Sequence, residues 1–286
     1  MKKAGAKKPL PFFCMKPMKL NTTLFELGVL DRLAEQNTPL HRLDPRAKLI
    51  TTLGFIFTVV SFNRYEISAL LPLTIYPVFL IGAGDLPGRY LFKKILIASP
   101  FALFVGVFNP FFDRAPMVML HGVAISAGWI SFASVVLRFV LTVSAALALI
   151  GITGFNAICM ALSRIGVPRA FIIQLLFLYR YLFVLTDEGL RMVRARSLRS
   201  FKGRGTGLKI YANMLGQLLL RTMDRAQRIH RSMLCRGFDG EIRLNREFSF
   251  TIHDLVFCLF WLSFFGLARS FNLSLLLGQL ASRMTA

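Results

Sequence analysis

Two arginine clusters carry the most suggestive chemistry in this chain: Arg194-Ala195-Arg196-Ser197-Leu198-Arg199-Ser200 and Arg231-Ser232-Met233-Leu234-Cys235-Arg236-Gly237-Phe238-Asp239-Gly240. Each sets an arginine, Arg196 or Arg236, beside small residues, so a guanidinium can make charge-assisted hydrogen bonds where backbones approach closely. Both lie within residues 191–246, which hold 14 Lys+Arg against 3 Asp+Glu, about half of the chain's net charge of +21. A plainer reading competes. An arginine in the last turn of a helix favours the negative end of its dipole, and a glycine just after it is an ordinary C-cap. Capping does not explain why the small-residue-plus-arginine pattern occurs twice.

The stretch between the clusters reads as the element that positions them. Leu208, Tyr211, Leu215, Leu218, Ala226, Ile229 and Met233 recur at three-and-four spacing, and Lys209, Asn213, Gln217, Arg221, Arg225 and Arg228 fill the opposite face, which predicts an amphipathic helix. Lys202-Gly203-Arg204-Gly205-Thr206-Gly207 breaks it from an earlier helix that begins after Pro168. A helix over 208–236 is about 40 Å long at 1.5 Å per residue. Two arginine motifs held that far apart could grip two copies of one partner.

Composition sets these helices beside a membrane. The 286 residues are 55% hydrophobic, with 28 phenylalanines and positive mean hydropathy, more apolar than a soluble domain. Such a chain reads as an integral membrane protein. Its cysteines, Cys14, Cys159, Cys235 and Cys258, form no Cys-x-x-Cys pair, and His41, His121, His230 and His253 are equally dispersed. Neither a disulfide framework nor a metal site is indicated, and no cofactor is expected. The excess of Lys and Arg fits cytoplasmic loops and anionic lipid rather than nucleic acid.

Taken in order, residues 1–46 should form a basic tail in which no cleaved signal peptide is expected, leading into the interfacial run Pro39-Leu40-His41-Arg42-Leu43-Asp44-Pro45-Arg46-Ala47-Lys48. Asp44-Pro45 reads as an N-cap followed by proline at the first helical position. Residues 47–154 should form a four-span bundle, with apolar segments at 47–62, 65–83, 95–112 and 129–152. Arg138 falls inside the fourth span, where a charge costs about 2.5–3.5 kcal/mol on insertion scales, so it should face protein or water. Residues 155–248 should hold long cytoplasmic helices, with 171–185 half buried against the bundle. Residues 249–286 should hold a last span and an external tail. Lys/Arg-rich loops then fall on one side, placing the N-terminus in the cytoplasm. The expected fold is all-α: a polytopic helical membrane protein with about five transmembrane helices and a cytoplasmic region of long amphipathic coupling helices.

Catalytic signatures are absent. Gly203-Arg204-Gly205-Thr206-Gly207-Leu208-Lys209 lacks the Gly-Lys-Ser/Thr of an ATP-binding loop, and no Gly-x-Ser-x-Gly motif or paired-His zinc helix occurs. The chain is not expected to be an enzyme.

With these residues in view, the chain resembles the transmembrane T component of energy-coupling-factor transporters, most closely the cobalt-type CbiQ. The resemblance runs through Pro39–Lys48, the Arg138 region, residues 168–199 with Tyr179-Arg180-Tyr181, and residues 233–240. It implies that two Ala-Arg-Gly-like motifs end the coupling helices and dock into two ATPase subunits. On this chain they fall on Ala195-Arg196-Ser197 and Cys235-Arg236-Gly237, with Ser197 in place of glycine and Cys235 in place of alanine. The resemblance further implies as partners two ABC ATPase subunits, a substrate-binding membrane S component and a small accessory membrane protein. It places the chain in the bacterial cytoplasmic (inner) membrane, serving uptake of cobalt or nickel. A stand-alone secondary carrier and a membrane-tethered binder of anionic polymers are the alternatives. Arg138 as the one clear intramembrane charge argues against the first.

Overall fold

Asp44-Pro45 does start a helix, and the local chemistry shows why. In the computed structural model the Asp44 carboxylate accepts the Arg46 N–H at 2.8 Å, and Pro45, which has no N–H to satisfy, takes the first helical position of α2 (Pro45–Ser61). The structure describes residues 31, 33–36, 38–63, 68–108, 116–120, 123–199, 207–240 and 250–270. The basic tail 1–30, the glycine-rich 200–206 and residues 64, 113 and 249 therefore lie outside the described residues. In order the elements are α1 (Pro39–Arg42), α2, 3-10 turns at Ser68–Leu70 and Pro72–Thr74, α3 (Ile75–Ala83) and α4 (Gly88–Val107). There follow strands β1 (Pro116–Leu120) and β2 (Val123–Ser126), then α5 (Ala127–Thr153), α6 (Phe155–Ile165), α7 (Arg169–Arg199), α8 (Leu208–Leu234) and α9 (Ile252–Ser270).

Two compact units result. One holds α7 and α8, and the other holds the remaining described elements. The helical, polytopic reading of the sequence holds: Gly88–Val107, Gly128–Thr153, Arg169–Arg199 and Ile252–Ser270 are each long and apolar enough to cross a membrane. At 17 residues α2 is about 25 Å long, slightly under the thickness of a bilayer core. The connection between α4 and α5 includes a short antiparallel hairpin, with Val118 opposite Ile125 and Leu120 opposite Val123.

One expectation needs correction. The described part of the 65–83 segment, residues 68–83, is not one continuous α-helix. Pro72 removes a backbone donor, the chain takes two 3-10 turns, and only nine residues of α-helix follow. Such a break is tolerated at membrane depth when protein covers it, and Ala69, Leu70 and Leu73 are at most 2% exposed.

The bundle core is aromatic. Tyr76 from α3 packs against Phe55 of α2 at 4.7 Å between ring centroids, and against Trp261 and Phe265 of α9 at 4.8 and 5.2 Å. Its hydroxyl meets Thr52 Oγ1 at 2.8 Å and donates to Thr51 Oγ1 at 3.2 Å, so the buried polar end is satisfied. Inside a bilayer helices gain little from hydrophobic transfer, and close packing has to hold them together. Gly54 shows this need, since a Cβ there would sit 2.8 Å from a Leu262 methyl on α9.

A polar knot joins the starts of α2 and α9. Thr251 and Asp254 form a capping box, in which Asp254 Oδ2 accepts the Thr251 N–H at 2.8 Å. Its other oxygen accepts the Asp44 N–H at 2.7 Å from 210 residues away in sequence. Lys48, 3% exposed, lies in the field of both carboxylates and donates to the His41 carbonyl at 3.1 Å. His41 is held in turn by Thr38 Oγ1 at Nδ1 (2.6 Å) and by donation from Nε2 to the Leu33 carbonyl (3.0 Å). A carbonyl can only accept, so the hydrogen of the neutral ring sits on Nε2.

Candidate functional site

The arginine clusters sit at the ends of two helices that cross. Glu188 of α7 and Arg221 of α8 pair at 2.8 Å, and beside them Gly189 faces Leu218, where an added Cβ would lie 3.8 Å from the leucine methyl. Along α8, Tyr211, Met214, Leu218, Thr222, Ile229 and Met233 are half buried while the residues between them are exposed. Of the apolar positions read from sequence, Tyr211, Leu218, Ile229 and Met233 fall on this half-buried face, whereas Leu208, Leu215 and Ala226 are exposed. Glu188 meeting Arg221 while Gly189 meets the earlier Leu218 makes the two helices antiparallel at this point. Their C-terminal arms therefore leave the crossing in opposite directions.

Arg196 lies seven residues beyond Gly189, about 10 Å along α7, and is half buried between exposed Ala195 and exposed Ser197. Ser197 Oγ donates to the Arg194 carbonyl at 2.7 Å, so its hydroxyl is occupied by its own helix. Arg236 lies about 22 Å beyond Arg221 along the other arm. Arg196 and Arg236 thus stand on opposite arms of the crossing.

The end of α8 is a full glycine cap. Gly237 adopts φ 76°, its N–H donates to the Leu234 carbonyl at 3.0 Å, and the Phe238 N–H donates to the Met233 carbonyl at 3.1 Å. That is the Schellman pattern, with Phe238 folded back beside Met233. Capping therefore accounts for Gly237. It does not account for exposed Cys235 and Arg236, nor for exposed leucines at both ends: Leu198 is 79% exposed and Leu234 54%. Sequence reasoning passed over these two leucines. The signal was available, because each stands two residues from its cluster's central arginine.

Between the N-terminal half of α7 and the C-terminal half of α8 runs a groove of about 530 Å³, lined by Ile173, Phe177, Tyr181, Ile229, Met233 and Phe238 among others. Its walls are apolar, and Arg225 and His230 also reach it.

Arg138 sits eleven residues into α5, in the other unit. Its Nη2 donates to the Asn63 carbonyl at 2.6 Å, just past the end of α2. The cation thus has a backbone carbonyl as partner, which is a structural reason for a charge at this position. Among the described residues no group of three His, Cys, Asp or Glu is placed to hold a metal ion.

A family model described as cobalt transport protein, CbiQ, matches residues 36–247, a span that includes both arginine clusters and Arg138. An uncharacterized protein of Methanocaldococcus jannaschii is 27% identical over 231 residues, covering 77% of this chain and 78% of its own length. The cobalt transport protein CbiQ of Salmonella typhimurium is 30% identical over 160 residues, or 52% of this chain and 71% of that protein. The energy-coupling factor transporter transmembrane protein EcfT of Ruminiclostridium cellulolyticum is 23% identical over 237 residues, or 77% and 88%.

Proposed function

This chain belongs to the CbiQ family of cobalt transport proteins, and on that premise we propose that it is the transmembrane coupling subunit of an energy-coupling-factor ABC transporter. It is a multi-pass membrane protein of a transport family. In the proposed role it does no chemistry on its cargo. It receives the motion of two ATPase subunits at Ala195-Arg196-Ser197 and Cys235-Arg236-Gly237 and passes it to a substrate-binding membrane subunit that takes up cobalt or nickel. The names of the relatives, CbiQ and EcfT, support the partner class. A small accessory membrane protein completes the set, in a bacterial inner membrane with the N-terminus in the cytoplasm.

One observation carries this reading. Two helix ends, each offering an arginine among small residues with an exposed leucine two positions from it, stand on opposite sides of one crossing. A helix end of this kind can be seated in a groove by a charge-assisted contact and one apolar anchor. A symmetric pair of ATPases offers two equivalent grooves. The apolar groove between α7 and α8 is in keeping with a membrane-embedded partner as well.

The test is co-purification and uptake. Arg196→Glu or Arg236→Glu should each weaken recovery of the ATPase pair and abolish cobalt uptake, and the double change should separate the complex. Lys202→Glu, in the glycine-rich link, should be mild. If both arginine variants assemble and transport as well as Lys202→Glu, the clusters are helix caps only.

A further inference from the structure

We propose that the cleft between α1, α3 and α9 binds one anionic phospholipid, with its phosphate at Arg42 and His253 and an acyl chain over Phe79 and Phe257. The cleft has a volume of about 960 Å³ and is lined by residues of one unit only. It lies in the Pro39–Lys48 run, whose Arg42 has no part in the coupling role.

The polarity of the cleft runs in one direction along both walls. On α9, a helix apolar enough to cross the membrane, His253 is the second residue and Phe257 lies one turn deeper. On α3, Ala83 is the last residue before the Gly84-Asp85 turn, and Phe79 lies one turn deeper. Each wall thus begins at a helix end and becomes aromatic about 5 Å further in. A phospholipid has the same order of headgroup and chain.

Charge selects the headgroup. Arg42 and His253 are exposed, and among the described residues neither has a hydrogen-bond or ion-pair partner. The positive end of the α9 dipole is at the same mouth. The carboxylate in the lining, Asp254, is 2% exposed, has both oxygens engaged by backbone N–H groups and lies beside the Lys48 cation, so its charge is largely offset within the fold. Phe79 is 41% exposed at membrane depth, and an acyl chain would cover it.

Trp261 reports on this cleft directly, with its ring 5.2 Å from Phe79 and 6.4 Å from Phe257. The chain has two tryptophans, and the other, Trp129, is 61% exposed, so Trp129→Phe leaves Trp261 as the one emitter. The full chain in this background is placed in phosphatidylcholine nanodiscs containing equal fractions of either brominated phosphatidylglycerol or brominated phosphatidylcholine. Brominated phosphatidylglycerol should quench Trp261 with at least about fivefold higher apparent affinity, the weight of one cationic side chain at a membrane surface. Arg42→Gln and His253→Gln should each reduce that preference, whereas Arg42→Lys should retain it. If Arg42→Gln does not fold, His253→Gln carries the comparison. Equal quenching by the two lipids, no quenching by either, a preference unchanged in the variants, or relief of quenching by inorganic phosphate alone would each overturn the proposal.

Discussion

Replacing Asp254 by alanine tests whether the knot between α2 and α9 holds the first and last helices of the bundle together. The carboxylate makes two charge-assisted hydrogen bonds, to the Asp44 N–H and the Thr251 N–H, and each is worth about 1.5–3 kcal/mol in general. Thr251 is exposed, so water replaces its lost acceptor. Asp44 is 2% exposed, so its N–H does not regain a partner from solvent, while Lys48 keeps its bond to the His41 carbonyl and loses only the field of one carboxylate. The cost should therefore approach that of both charge-assisted hydrogen bonds, about 3–5 kcal/mol. Asp254→Asn keeps an oxygen for Asp44 and loses the charge, so it should cost less, about 1.5–3 kcal/mol. Equilibrium unfolding in mixed micelles, followed by helical circular dichroism, gives the two differences. If Asp254→Ala lies within about 1 kcal/mol of the parent, or if the two variants are equally unstable, the carboxylate does not tie the helices and the argument is refuted.

The other predictions concern single groups. Arg138→Ala should cost about 1.5 kcal/mol in the same unfolding assay, because the Asn63 carbonyl it caps is partly open to solvent, and Arg138→Lys should restore part of it. Uptake per folded molecule should be unchanged in both; a loss of uptake with normal stability would instead give Arg138 a role in transport. Gly237→Asn keeps a residue that tolerates the φ of 76°, so the helix should melt normally while ATPase recovery falls. Normal recovery would mean that Gly237 serves the cap alone. His41 titrates below the usual histidine value. Burial is the largest cause and the Lys48 charge acts in the same direction, against the Leu33 hydrogen bond. Its neutral form therefore stabilises the fold fully above about pH 6.5, and that share is lost as pH falls through the lowered value. A His41→Gln variant should show a flatter fall in melting temperature over that range, and an unchanged slope would remove His41 as the cause.

What could be read from the sequence was local. Asp44-Pro45 announced the start of α2 because an N-cap and its proline are adjacent residues. Much of the face of α8 was readable because three-and-four spacing is a property of one helix, but Leu208, Leu215 and Ala226, read with it, are exposed. The break in 65–83 did leave a mark, Pro72 inside the run, but the apolar residues on both sides of it read as one segment. Thr251 and Asp254 did carry a local signal, a capping box, which was not noticed among the apolar residues of the last span. The partnership of Asp254 with Asp44 could not be inferred from spacing, since 210 residues separate the bonded groups.

The same distinction bears on the arginine clusters. The choice first drawn between a helix cap and a docking motif was too sharp, because the two roles fall on different atoms. At the end of α8 the cap uses the backbone of Met233, Leu234, Gly237 and Phe238, and it needs no side chain from Arg236. By turning the chain back at Gly237, it ends the helix and leaves Leu234, Cys235 and Arg236 exposed together. At the end of α7, Ser197 is tied to its own helix and Leu198 stands 79% exposed next to it. At the end of α8 backbone chemistry fixes the helix end, and in both places an arginine and a leucine are left for another surface. A cap alone would be equally stable with polar residues at 198 and 234, so Leu198→Gln with Leu234→Gln separates the two roles. The double variant should fold as the parent does and lose the ATPase pair. If it keeps the pair, the exposed leucines are not anchors and the contact rests on the arginines.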